Sequence, residues 1–459
     1  MTRCKASPKS KNEAADDPST SWTCIRQESE PRQAGGLAVA QAPMTGPNAS
    51  PCCRARHRDK LKIIELLLTS IEPKMATEAT STQGPVKIGT RKSVLARVQT
   101  DIVCKELRKA WPDRKYEIHA MSTMGDNNQT TALHEFNAKA LWTHELEALL
   151  EKGDLDLIVH SLKDMPTQLP PSMSIGCIFP REDPRDALVV KPTLPYKSLA
   201  QLPEGSVIGT SSVRRSAQLK RLYPNLKFAD VRGNVGTRLA KLDNPEGEYT
   251  ALILAAAGLT RLGMSERITS YLDSASGGIL HAVGQGALGI EVRSDDEDVK
   301  KLLSAVGDEW TTRACLAERS LMRTLEGGCS VPIGVETEWV RKKTSLGTTV
   351  GTGVGVGAKP AAKYDKFSGV AVTGRTTQDE GEHKESGVEF TENLIMRAIV
   401  VSLDGKRHVE TEMQRRITNR EEADEFGWDV AKKLVELGAE DILHDINLNR
   451  KIIEEQGDA

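Results

Sequence analysis

From Val86 onward, short apolar runs alternate with segments whose apolar residues recur every three or four positions. The runs read as buried strands and the periodic segments as helices packed on one face. "VKIGT" at 86–90 is such a strand. Ser93 is placed to cap the helix that follows, with Val94, Leu95, Val98, Ile102 and Leu107 as its apolar face. "LWTHELEALLEKG" predicts a helix ending at Gly153, and "LDLIVH" a buried strand after it. The pattern then repeats: strand "SVIGT", helix "SVRRSAQLKRL", strand "KFADV", helix "VGTRLAKL", and "ALILAAAGL" as a strand running into a helical turn. Alternation with such short connections predicts an α/β fold, with parallel sheets covered by helices.

The character changes after Lys300. "TTRACLAERSLMRTL" reads as one helix leading into a glycine turn, "LIMRAIVVSLDG" as a strand, and Glu421 to about Leu443 as an amphipathic helix. Between them, 341–389 is rich in Gly, Thr and Lys and reads as a flexible insertion within the C-terminal domain. Its "GTGVGVG" does not fit G-x-G-x-x-G and follows no clear strand, which speaks against a nucleotide loop. A length of 459 residues suggests about three domains at ~150 residues each. Two of them are expected to lie on either side of "REDPRD" at 181–186.

Residues 1–83 differ in composition and read as a disordered extension. Early acids (Asp16, Asp17, Glu28, Glu30) argue against a transit peptide, and no secretory pattern is visible. The 62 basic and 64 acidic residues nearly cancel, so bulk charge points to neither nucleic acid nor membrane as a partner. No apolar run approaches the ~20 residues of a spanning helix. Eight cysteines without a CxxC pair suggest free thiols in a reducing compartment, and no metal site.

The chemistry concentrates where strands end, the usual place for ligands in open α/β sheets. Arg91, Arg214, Arg215, Arg232, Arg238 and Arg261 all follow strands, and Ser93, Ser211 and Ser212 add hydroxyls beside them. Arginine grips carboxylates or phosphates at two points, so the repeated choice predicts a polyanionic ligand. Any one of these arginines alone reads more readily as a solvated helix residue; it is the repetition that points to a ligand. Asp164, in "SLKDMP" after "LDLIVH", is the acid delivered to this basic region. It is either an ionised group poised to oppose a developing cation or an ion-pair partner of Lys163 or an arginine. Cys329 sits in "LEGGCSVPIG" between two glycines and a proline-stopped segment. That turn presents a thiol for chemistry or holds an ordinary half-buried cysteine; the stretch alone leaves both readings open.

Together the motifs "IGTRKSVLA", "HSLKDMP", "REDPRDALV", "IGTSSVRR", "RGNVGTRLAKLD", "AAAGLTRL", "AVGQGALGIE" and "EGGCSVPIG" resemble the porphobilinogen deaminase (hydroxymethylbilane synthase) family, in family order over about Val86 to Gly334. The resemblance implies three domains. Two are α/β lobes like those of periplasmic binding proteins, 84–181 with 282–303, and 182–281. The third, 304–459, is a smaller α+β domain. It also implies a transferase of haem biosynthesis that joins four porphobilinogen molecules head to tail with loss of ammonia. A dipyrromethane cofactor, one per chain, would be bound through a thioether to Cys329. Asp164 matches the family aspartate that stabilises the azafulvene cation at the pyrrole nitrogens. Lys163, Ser93, Ser211, Arg214, Arg215 and Arg232 would hold the cofactor. Arg91, Arg238, Arg261, Lys139 and Ser212 would hold substrate. A cytoplasmic monomer with porphobilinogen as its partner is expected.

Two departures stand out. The segment "LHEFNAKALW" keeps Lys139 but has Asn137 and Ala138 where the family often has glycine, and the 341–389 stretch is long. Two rivals share the arginine cleft or the thiol. An anion-binding receptor needs neither a third domain nor the cysteine turn. A thiol redox or hydrolytic enzyme would want a second cysteine or a histidine beside Cys329, and Cys315, the nearest upstream, is on a separate helix.

Overall fold

A computed structural model describes residues 84–123, 143–325, 331–341 and 390–446. The first sheet has the order β2-β1-β3-β10-β4, from β1 (Val86–Arg91), β2 (Tyr116–Met121), β3 (Leu157–Ser161), β4 (Met173–Ile178) and β10 (Leu288–Arg293). Successive residues of β3 face opposite sides, as the pleat requires. Leu157 and Val159 meet Val103, Cys104 and Leu107 of α1 (Val94–Ala110), and Leu302 and Leu303 of α6 (Glu297–Ser304). Ile158 meets Leu146 and Leu150 of α2 (His144–Glu151) on the other side. Both faces are therefore covered, which explains the continuous apolar run of "LDLIVH".

The second sheet repeats the plan with the order β7-β6-β8-β5-β9: β5 (Asp186–Val190), β6 (Val207–Gly209), β7 (Lys227–Ala229), β8 (Ala251–Ala255) and β9 (Ser270–Leu272). Leu219 of α3 (Val213–Leu222) packs on one face. Leu239 and Leu242 of α4 (Val235–Asp243) and Leu259 of α5 (Ala256–Arg261) pack on the other.

The expectation of parallel sheets needs correction, because both are mixed. β1 runs parallel to β2 and β3, but β10 is antiparallel to β3 and β4. Likewise β6 is parallel to β7 and β8, while β5 is antiparallel to β8 and β9. The exceptions, β5 and β10, are the strands that arrive from the other sheet. Such a strand needs no helical crossover within its own sheet, so nothing obliges it to run parallel. The connecting stretches 179–185 and 273–287 touch through their backbones, with Glu182 N–H donating to the Gly286 carbonyl at 3.2 Å. Gly286 has φ +87°, and a Cβ there would lie 2.3 Å from the Glu182 carbonyl oxygen. Only glycine allows the two segments to cross this closely.

The third sheet is antiparallel, in the order β11-β12-β13: β11 (Ile333–Arg341), β12 (Phe390–Val401) and β13 (His408–Arg416). It packs with α7 (Glu309–Thr324) and α8 (Arg420–Glu436) around Leu321, Trp339, Met396, Phe426 and Val430. The C-terminal helix is shorter than its amphipathic pattern suggests. It stops at Glu436, and Gly438 turns the chain at φ +97° before winding resumes. Glu318 of α7 ties this third region to the crossing segments. Its carboxylate takes Arg181 at 2.6 and 3.0 Å, the Thr337 hydroxyl at 2.6 Å and the Gly284 N–H at 2.8 Å. Burial pushes this carboxyl up, but the Arg181 guanidinium and the other partners outweigh it and hold it below the usual range. No described helix is long and apolar enough to cross a membrane.

Candidate active site

β3 ends at Ser161 and the chain tightens into a single 3₁₀ turn, Leu162–Asp164. Leu162 N–H donates to the Ala287 carbonyl at 3.0 Å, and Met165 N–H closes the turn on Leu162 at 3.2 Å. Leu162 and Met165 are buried, while Lys163 and Asp164 between them are partly exposed. The alternation anchors the turn and leaves its two charged side chains out of the first lobe's apolar core.

Those charges meet the second lobe. The Lys163 ammonium is drawn below the usual lysine range, first by burial and then by Arg215 and Arg214, against the pull of Asp164 and Asp186. Arg238 of α4 is lowered to about 10, by burial first and then by Arg215 and Arg232, with Asp164 among the opposing charges. Asp164, Lys163, Arg214, Arg215, Arg232 and Arg238 therefore share one electrostatic neighbourhood, with carboxylates from Asp230 and Asp186.

Arg214 and Arg215 lie deeper than expected for exposed ligand grips. They are 5% and 6% exposed, and both hold Asp186, the first residue of β5. Arg214 Nη1 donates to Asp186 Oδ2 at 2.7 Å and to the Leu280 carbonyl at 2.6 Å. Arg215 donates to Asp186 Oδ1 through Nε at 3.0 Å and Nη2 at 2.7 Å, and through Nη1 to the Ile253 carbonyl at 2.9 Å. Gln285 Nε2 adds a fourth donor to Asp186, at 2.9 Å. Burial opposes ionisation of Asp186, but Arg214 and Arg215 override it and hold the carboxyl far below the usual range. The acid of "REDPRD" thus organises both arginines. Asp186 was not singled out from sequence, because its partners lie in other elements.

The segment 230–233 is held at four consecutive carbonyls. Tyr249 Oη donates to Asp230 at 2.6 Å, Ser211 Oγ to Val231 at 2.6 Å, Lys241 Nζ to Arg232 at 3.2 Å and Arg238 Nε to Gly233 at 2.8 Å. Lys241 and Tyr249 were not singled out from sequence, since neither stands at a strand end in a charged motif. Within the held segment, Arg232 Nη1 is enclosed and has no hydrogen-bond partner. A buried guanidinium nitrogen in that state is a site for an anionic oxygen. This fits a cofactor that brings carboxylates, as a dipyrromethane built from acetate- and propionate-bearing pyrroles would.

The remaining candidates are placed unevenly. Ser93 caps α1, accepting from Ala96 N–H at 3.3 Å, and Ser212 caps α3, accepting from Arg215 N–H at 3.5 Å. Arg91 closes β1 and is partly exposed. Arg261 is set apart from the cluster. It donates to the Gly286 carbonyl at 2.6 Å at the crossing segments, and burial lowers it to about 10 against the pull of Glu182. Cys329 and Lys139 lie outside the described residues.

Comparison with known proteins bears on the same residues. The family model described as porphobilinogen deaminase, dipyromethane cofactor binding domain, matches 86–301, and that of the porphobilinogen deaminase C-terminal domain matches 312–357. The porphobilinogen deaminase of Yarrowia lipolytica is 49% identical over 368 residues, 79% of this chain and 94% of that protein. That of Neurospora crassa is 45% identical over 371 residues, covering 80% and 95%. That of Synechococcus elongatus is 55% identical over 253 residues, covering 55% and 78%. Among solved structures, the BenM effector-binding domain with benzoate has 16% identity and a TM-score of 0.31 over 48% of this chain and 90% of its own. The sulfonate-binding protein SsuA of Escherichia coli has 12% identity and a TM-score of 0.29 over 53% and 71%. Those two likenesses carry no weight here, whereas near-full-length identity approaching one half does, and by it this chain belongs to the porphobilinogen deaminase family.

Proposed function

We propose that this chain joins four porphobilinogen molecules head to tail, releasing ammonia, to give hydroxymethylbilane, with Asp164 at the reacting centre. The observation that carries this reading is the electrostatic neighbourhood Asp164 shares with Lys163 and Arg238, in a cationic wall holding an enclosed, unpartnered guanidinium nitrogen on Arg232. At each addition the aminomethyl C–N bond of the incoming porphobilinogen breaks. The nitrogen leaves as ammonia, taking the bonding pair and a proton, and the methylene carbon becomes electron-poor. A pyrrole α-carbon of the chain bonds to that methylene and then gives up its own proton. The Asp164 side chain, set among guanidinium groups, opposes the positive charge shared by the methylene and the pyrrole nitrogen.

A dipyrromethane held as a thioether on Cys329 supplies the pyrrole carbon from which the chain starts. Arg232, Lys163, Arg214, Arg215, Ser93 and Ser211 line or brace its place. Arg91, Arg238, Lys139 and Ser212 serve incoming units and the growing chain, and Arg261 braces the crossing segments behind them. Arg214 and Arg215 do this partly through Asp186, which sets the shape of the wall. The same reading divides the chain into three domains with boundaries near 181–182, 281–282 and 303–304, which the three separate sheets support, and has it act as a monomer.

The test is Asp164→Asn, which keeps the shape and removes the charge. A folded variant with its cofactor present should turn over at least ~10²-fold more slowly, the scale of a lost fixed electrostatic group. Turnover near wild type would reduce Asp164 to an ion-pair partner.

A further inference from the structure

Arg319 is 3% exposed, and among the described residues no carboxylate pairs with it. Its guanidinium points at the turn that carries Asp164, with Nη2 donating to the Pro166 carbonyl at 2.5 Å and Nη1 to the Met165 carbonyl at 3.4 Å. These are the two peptide oxygens that directly follow Asp164. One helical turn earlier on the same helix, Cys315 packs with Leu162 and Met165, so the face of α7 bearing 315 and 319 is docked onto this turn. A buried charge without an acid is expensive to hold. An apolar side chain of the same length would fill the space without that cost. Only a planar fork with parallel donors fixes two successive carbonyls at once.

We propose that Arg319 is a positioning residue for the condensation: it fixes the backbone after Asp164 and so sets where the carboxylate stands relative to the reacting pyrrole. The inference rests on the reading of Asp164 given above. α7 ends at Thr324, five residues before Cys329 in the chain, so the helix that steadies the carboxylate also leads to the proposed attachment residue. A misplacement of about 1 Å at a reacting centre is enough to cost ~10²-fold in rate.

The experiment compares Arg319→Met and Arg319→Lys, alone and combined with Asp164→Glu, in full-length protein whose dipyrromethane content is checked by intact mass. Arg319→Met should lower kcat roughly 10- to 100-fold with KM for porphobilinogen changed less than about threefold. Arg319→Lys, which restores the charge and a single donor, should recover part of the loss. In the Asp164→Glu background, where the carboxylate is already misplaced, Arg319→Met should cost less than about threefold further. Equal losses in both backgrounds, or an unchanged kcat in Arg319→Met, would overturn the proposal. If Arg319→Met does not fold, Arg319→Lys decides by the same comparison. Asp164→Glu running at the wild-type rate would instead count against the reading of Asp164 itself.

Discussion

Replacing Asp186 with asparagine removes one negative charge from a place where two positive ones converge. The side chain is fully buried and takes four donors, one from Arg214, two from Arg215 and one from Gln285. Asparagine keeps one carbonyl oxygen, but its amide points donors at a guanidinium. Two arginines that are themselves 5% and 6% exposed would then sit without a counter-charge. Breaking a buried pair by removing one partner costs about 3–5 kcal/mol, and this site lies toward the upper end because one acid serves two bases. The pH dependence has a definite sign. The folded carboxyl is held below its unfolded value, so its contribution is complete above about pH 4 and disappears as pH falls through the folded value. The wild type should therefore lose stability on acidification from this group, and Asp186→Asn should lack that component. Differential scanning calorimetry at neutral pH and in acid reads both effects, and intact mass reports whether the variant still carries dipyrromethane. A loss below about 1 kcal/mol with normal loading would refute the argument that Asp186 organises Arg214 and Arg215.

Purified protein should be heavier than its polypeptide by one dipyrromethane, and Cys329→Ser should lack that mass; fully active enzyme with an unmodified cysteine would exclude the attachment. Arg232→Leu removes the enclosed donor and should weaken the hold on a carboxylate by about 1.5–3 kcal/mol per lost charge-assisted bond. Mass spectrometry after addition of porphobilinogen should show either failed cofactor loading or a stalled intermediate length, and a change in KM alone would argue against the polyanion wall.

Much of the architecture was legible in the chain itself. Local pattern is enough to mark β1, β3 and β8, the capping serine Ser93, and the helix through Ala314 and Leu321, because burial on one or both faces writes its period directly into the sequence. Asp164 and the arginines could be picked out as candidates because a charged residue shortly after an apolar strand is a local signal. Strand direction was not. β5 and β10 run against the alternation because they enter each sheet from the other lobe, and that depends on two segments about a hundred residues apart crossing at Gly286. Nor could the sequence separate a ligand-facing arginine from a braced one. Arg214, Arg215 and Arg232 look alike in the chain, yet Asp186 takes the first two, while an enclosed nitrogen of Arg232 is left without an acceptor. Nothing in the sequence sets Arg319 apart from other helix charges, and only the packing of α7 against the turn after β3 gives it two carbonyls to hold. Side-chain type and periodicity are properties of neighbours in sequence; the partner of a buried charge is a property of neighbours in space.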